Sequence, residues 1–156
     1  MCDYGYNTIV VFCFLRKGDD VLLIRRRQEP NNNQETIVGG RKEKGESVSA
    51  ACKREVLEET GLRLTTVHLR GVLSICRQGS ETETLAFYFE SDQFEGTLTE
   101  SSEGTLRWCP IDESFKSQDI SAFYSCLAPL VFESEDLFTG MIKLDYNGAI
   151  CDVEID

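Results

Sequence analysis

The apolar residues of this chain gather in short runs separated by polar, glycine-bearing turns. Residues 8–16 are dense in Val, Ile and Phe and predict a buried strand. Lys17-Gly18-Asp19-Asp20 reads as a turn and residues 21–27 as a second strand, so the two form a hairpin. Residues 28–34 are polar, with Pro30 and three asparagines, and predict a loop; Gly39-Gly40 opens a further loop that ends near Gly45. A helix starts at Ser47 or Glu46. Ala50, Ala51, Leu57 and several Glu and Lys favour it, and Gly61 stops it. Residues 63–67, 71–77, 84–90 and 106–109 predict strands, and residues 120–132 a second helix, interrupted or kinked near Pro129. The chain closes on a hairpin: apolar and polar residues alternate through 141–144, Asn147-Gly148 makes the turn, and residues 149–155 return. Strands mixed with two helices, without a regular βαβ rhythm, favour a mixed α/β or α+β sandwich over a Rossmann sheet.

At 156 residues the chain is expected to be a single domain spanning 1–156, large enough to bury a sizeable core. Its longest uninterrupted apolar run, residues 9–15, is far short of the roughly 20 residues a membrane-spanning helix needs. The first residues carry no basic region and no small-residue cleavage pattern, so no secretory signal is expected and a cytoplasmic location is. Seven cysteines, odd in number, widely spaced and without a C-x-x-C pair, argue against a disulfide framework and for small buried thiols in a reducing compartment. With a single histidine, His68, a zinc site or a Ser-His-Asp hydrolase is improbable. The net charge of −11 disfavours binding to a nucleic-acid polymer or an anionic membrane. That charge is uneven: residues 1–78 hold 13 Lys and Arg against 10 Asp and Glu, residues 79–156 hold 3 against 17. Basic groups gather at Arg25-Arg26-Arg27 and at Arg41, Lys42 and Lys44, where a small anion would be held.

The predicted helix carries Glu55, Glu58 and Glu59 at i, i+3 and i+4, on one face and one turn apart. Such neighbours repel, and the helix C-terminal end adds an unfavourable dipole. A divalent cation relieves the conflict, and clustered hard oxygens suit Mg²⁺ or Mn²⁺. Taken alone, the triplet is equally an ordinary solvated helix face. The rest of the segment decides. Gly40, Glu46, Arg54-Glu55, Val56, Glu58-Glu59, Gly61 and Leu62 match G-x5-E-x7-R-E-U-x-E-E-x-G-U, with U apolar, at every position. A chance match in a chain this long is on the order of 10⁻⁷.

This segment, residues 40–62, resembles the signature of the Nudix hydrolases. The resemblance implies an α/β/α sandwich with a central mixed sheet, and hydrolysis of a diphosphate joined to another moiety, usually nucleoside-based, with Mg²⁺ or Mn²⁺. It implies that Glu55, Glu58 and Glu59 bind metal, with the carbonyl of Gly39 as a further ligand. Arg54 would hold a loop glutamate, Glu46 or else Glu43. The chain is also similar to MutT-like nucleoside triphosphate pyrophosphohydrolases, including oxidised-dGTP members. The shared features are the basic strand LLIRRRQEP, the acidic lead into the Trp strand ESSEGTLRWCPIDE, and the closing hairpin. Alignment on Trp108 points to Glu103 as a further metal ligand or base, with Glu100 three residues earlier as the fallback. Arg26 and Arg41 become phosphate contacts, although three arginines also suit a solvated strand end.

Oxidised-guanine members usually have a Trp ahead of the glycine pair and then a base-contacting residue such as Asn. Here Glu35 stands near the first position and Thr36 near the second, so Thr36 is the candidate base contact. The aspartate pair that reads oxidised guanine is not evident; Asp119 has no acidic neighbour. Tyr4, Tyr6, Phe87 and Phe89 are candidates for stacking on a base, but aromatics on predicted strands more commonly belong to a core. The leading expectation is cleavage of a nucleoside triphosphate to monophosphate and pyrophosphate by a monomer or homodimer. The alternative is another diphosphate derivative: ADP-ribose, a nucleotide sugar or a dinucleoside polyphosphate. A sensor role is disfavoured because such domains carry eroded glutamates.

Overall fold

The computed structural model describes residues 6–29 and 32–156, with Tyr6 and Asn7 described in backbone only. Strand β1 (Tyr6–Lys17) turns at Gly18 into β2 (Asp20–Arg26), the predicted hairpin. β1 lies between two partners: β7 (Glu83–Ser91), parallel, and β4 (Val38–Arg41), antiparallel. Beyond β7 come β6 (His68–Arg77), β10 (Phe138–Leu144) and β11 (Ile150–Ile155). On the other side β2 pairs with β3 (Glu35–Thr36) and β9 (Gly104–Pro110). The β1/β7 and β6/β10 pairs are parallel and the remaining ladders antiparallel, so the sheet is mixed, as expected. Strands β5 (Arg63–Leu64) and β8 (Phe94–Glu95) form a separate small ladder.

Alternation along β1 and β2 assigns the two faces. Val11, Cys13, Leu15, Leu22 and Ile24 pack with Ala51, Cys52 and Val56 of helix α1 (Val48–Thr60). Phe14, Val21 and Leu23 pack with Tyr124, Leu127 and Val131 of helix α3 (Ala122–Phe132). A sheet covered on both faces explains why residues 9–15 are apolar without a break. Burial of each such side chain contributes about 1.5–3 kcal/mol before ordering costs.

The structure departs from expectation at a few places. Gly39-Gly40 is strand, not loop: without side chains, Gly39 lies close against β1 and Gly40 close against Glu55. The predicted strand 63–67 is only two residues long, because Thr65 and Thr66 bond to Gln93 and Ser91 outside any ladder. α3 runs unbroken through Pro129 and ends with the Glu133 N–H donating to the Pro129 carbonyl. A one-turn helix α2 (Ile111–Ser114) follows β9 directly. Part of the predicted 28–34 loop, Pro30 and Asn31, lies outside the described residues, as do Tyr4 and Cys2.

Candidate active site

Helix α1 is fixed at both ends. Ser47 caps it by accepting from the Ala50 N–H (3.0 Å), and Gly61 closes it in the left-handed conformation, its N–H donating to the Leu57 carbonyl. From its second turn Arg54 reaches back to the preceding loop. Its Nε and Nη2 donate to the two carboxylate oxygens of Glu46 (3.1 and 2.7 Å), and Nη2 also donates to the Arg41 carbonyl (3.0 Å). Glu46 is therefore the loop partner, with Glu43 at the outer limit of an ion pair (3.8 Å). This fork holds the Glu46 carboxyl down at about 2 and the guanidinium well above its ordinary value.

The three helix glutamates diverge. Glu58 is mostly exposed (59%) and accepts from Arg54 Nη1 at 3.4 Å. Glu55 is half-buried and accepts from the same nitrogen at 2.9 Å, so Arg54 already relieves part of the repulsion. Glu59 is 4% exposed and accepts from the Gly39 N–H at 3.3 Å. Burial above all, then the nearby Glu55 and Glu103 charges, push its carboxyl up to about 8. Burial also raises Glu55, against the pull of Arg54. The carboxylates meet the sheet where it has no side chains: a Cβ on Gly40 would sit 2.5 and 2.6 Å from the Glu55 carboxylate oxygens.

A cavity of about 620 Å³ opens here. Glu55, Glu59, Glu103, Arg26, Arg41 and the Gly39-Gly40 backbone line one part of it. Phe12, Phe14 and Tyr88 of the sheet and Phe123, Tyr124 and Leu127 of α3, which pack as one cluster, also line it. Thr8, Thr36 and Thr84 contribute hydroxyls. Of the residues singled out from sequence, Gly39, Glu55, Glu59, Glu103, Arg26, Arg41 and Thr36 come together in the cavity; Arg54 and Glu46 brace it from outside, and Glu58 faces away. Glu103 lies 3.8 Å from Arg26. Glu100 does not line the cavity; it accepts from the Leu106 N–H and pairs with Arg27.

The stacking candidates have the wrong strand parity. Phe87 and Phe89 pack on the α1 side, while Phe12, Phe14 and Tyr88, one residue out of step, face the cavity. The side chain of Tyr6, like the whole of Tyr4, lies outside the described residues. Glu35 is 2% exposed and turned from the cavity: it accepts from Arg107 Nε and Nη2 (2.5 and 3.0 Å) and from Ser117 Oγ (2.8 Å), with Arg25 at 3.3 Å. Arg107, above all, holds its carboxyl below the ordinary value. Asp119 pairs with Arg25 rather than facing the cavity. No sequence signal announced the Glu35 cluster, because its partners are 72 and 82 residues away.

The donors along the acidic wall are all hard oxygens, and the buried Glu59 lacks charge compensation enough to stay ionised; both properties fit a divalent cation. Among the described residues, no three His, Cys, Asp or Glu side chains are drawn together as a finished cage.

Residues 6–129 match the NUDIX domain family. The chain is 33% identical over 123 residues to the oxidised purine nucleoside triphosphate hydrolase of Danio rerio, covering 76% of this chain and 74% of that one. It is 37% identical over 75 residues to the Mus musculus protein of the same name, so the match spans about half the length of that relative. The crystal structure of a mutator MutT protein from Bacillus halodurans superposes with a TM-score of 0.86 at 27% identity, over 96% of this chain and 97% of that one. The signature, the sandwich and these likenesses converge: the chain belongs to the Nudix family, hydrolases that generally use divalent metal ions and act on small-molecule nucleotides.

Proposed function

We propose that this chain hydrolyses a nucleoside triphosphate to the monophosphate and pyrophosphate with Mg²⁺ or Mn²⁺, acting as a monomer or homodimer in the cytoplasm. The observation that carries this reading is the division of one cavity between an acidic wall and an aromatic chamber. A metal-bound polyphosphate and a flat base need those two surroundings side by side. The names of the zebrafish and mouse relatives support a triphosphate and make oxidised purine nucleotides the first substrates to try. The six described cysteines are all free thiols, which supports a reducing compartment. Among the described residues no helix is long and apolar enough to cross a membrane.

In this reading Glu55, Glu59, Glu103 and the Gly39 carbonyl hold the metal, and Glu58 joins by turning inward. An ion held by these residues would supply neutralisation of phosphate charge and acidification of a water. Arg54 positions: through Glu46 and the Arg41 carbonyl it fixes the loop, and through Nη1 it orients Glu55. Arg26 and Arg41 grip phosphate oxygens. Glu103 acts either as a ligand or as the base that takes a proton from the attacking water. Thr36 offers its hydroxyl to the base.

Purified protein with Mg²⁺ should release pyrophosphate from at least one nucleotide of a panel that includes oxidised purine triphosphates. Glu59→Gln should lower kcat by roughly 100-fold or more. A panel without turnover, or an unaffected variant, defeats the proposal. Phosphorylated sugar products would instead assign the chain to ADP-ribose or a nucleotide sugar.

A further inference from the structure

We infer that the hydroxyl of Tyr88 reads the base of the substrate, donating or accepting one hydrogen bond at the floor of the aromatic chamber. The inference rests on the nucleotide reading above and names a residue that decides which base is taken.

Tyr88 stands on β7 directly opposite Phe12 on β1. The two rings stack at 5.2 Å between centroids and 19° between planes. Phe14 and Phe138 pack against Tyr88 at 6.5 and 6.2 Å. Three neighbours therefore fix the ring, so the hydroxyl has a set position rather than a choice of rotamers. The residue is 3% exposed and lines the cavity, yet among the described residues its hydroxyl has no hydrogen-bond partner. Among the described residues Arg70 Nε is the buried side-chain atom left without a partner, so the Tyr88 hydroxyl is not sealed in protein but meets the open space of the cavity. Tyr124, on the facing wall, shows the ordinary case: its hydroxyl shares a 2.7 Å hydrogen bond with Ser114 Oγ. An unpaired hydroxyl on the wall of a binding cavity is a partner kept for a ligand.

The surroundings decide what that ligand offers. The ring neighbours of Tyr88, namely Phe12, Phe14 and Phe138, are all uncharged, and the charged groups of the cavity are Glu55, Glu59, Glu103, Arg26 and Arg41. Two carboxylates that the sequence places near the base positions are engaged elsewhere: Glu35 with Arg107 and Ser117, Asp119 with Arg25. Burial alone pushes the Tyr88 phenol upward, so it stays neutral at working pH. A neutral hydroxyl among aromatic rings suits an uncharged aromatic base with a polar edge. It does not suit a sugar, whose several hydroxyls would find too few partners.

The test compares wild type with Tyr88→Phe on two substrates: the purine nucleoside triphosphate that wild type turns over best, and ribose 5-triphosphate, which carries no base. Tyr88→Phe should lower kcat/KM on the first by about 3- to 10-fold, chiefly through KM, and leave the second unchanged. Its Tm without ligand should stay level, since the hydroxyl makes no hydrogen bond within the described protein. Equal kinetics on the first substrate, or the same loss on both, overturns the inference; so does a Tm several degrees lower, which would mark the hydroxyl as structural. If wild type releases pyrophosphate from no triphosphate, the reaction proposal fails by itself. Tyr88 is then judged by calorimetric titration of purine nucleoside monophosphates, with the same 3- to 10-fold loss expected in Tyr88→Phe and equal affinity overturning it.

Discussion

Glu59 is a carboxylate whose pKa is about 8 in the folded protein against an ordinary 4.5. The folded state therefore holds this proton more tightly than the unfolded chain. Its contribution to stability is fully present below pH 4.5 and is lost as pH rises through 8, by an amount on the order of a few kcal/mol. Metal-free protein should melt at a lower temperature at pH 8.5 than at pH 5.5, and Glu59→Gln should flatten that slope while abolishing turnover. A wild-type Tm that does not fall with pH contradicts the burial argument. Spacing in the sequence placed Glu55, Glu58 and Glu59 on one helical face, and it matched them to a signature. It did not separate their depths. Glu59 is buried, Glu55 half-buried and Glu58 exposed because the helix rests on the glycine strand at an angle that only tertiary packing sets.

Between elements, the two glycines of β4 serve different neighbours. A Cβ on Gly39 would overlap the Val11 carbonyl and the Phe12 ring, both of which are held by the sheet. The nearest atoms a Cβ on Gly40 would meet are those of the flexible carboxylate end of Glu55. Gly39→Ala should therefore cost about 1–3 kcal/mol of stability in a denaturant titration. Gly40→Ala should fold with nearly unchanged stability but lose about 10- to 100-fold in kcat, because Glu55 is displaced. The opposite pattern, with Gly40→Ala the destabilised variant, would refute this division. The hairpins, the signature helix with its Ser47 and Gly61 ends, and most strands were legible from turn residues and apolar runs. Two things were not. A glycine pair reads as a loop by composition, and a strand that is apolar on both faces gives no hint of which face lines a cavity. That second ambiguity put Phe87 and Phe89 forward in place of Tyr88.

Across the whole molecule, the Glu35 cluster ties together parts of the chain that the sequence keeps far apart. Glu35 on β3 binds Arg107 on β9 and Ser117 ahead of α3, and its backbone carbonyl accepts from Ser121, the cap of α3. Ser121 Oγ in turn lies 3.2 Å from Thr36 Oγ1 in the cavity wall. Glu35→Gln should lower stability by about 1–2 kcal/mol, a figure tempered by the half-exposed Arg107. The native carboxylate is held below its ordinary value, so the stability it confers is present at neutral pH and lost on acidification below the unfolded pKa near 4.5. A variant with unchanged Tm at pH 7 would show the cluster to be energetically idle. Contacts spanning more than seventy residues leave no local trace, which explains why the sandwich was foreseeable from sequence while this brace was not.

The split cavity also bears on how such a protein changes over evolutionary time. The groups proposed for bond cleavage come from β4, the signature segment and the turn before β9, whereas the aromatic lining comes from β1, β7 and α3. Replacements in the chamber leave the hydrolytic apparatus untouched, so descendants of this chain can acquire new diets without reinventing their chemistry.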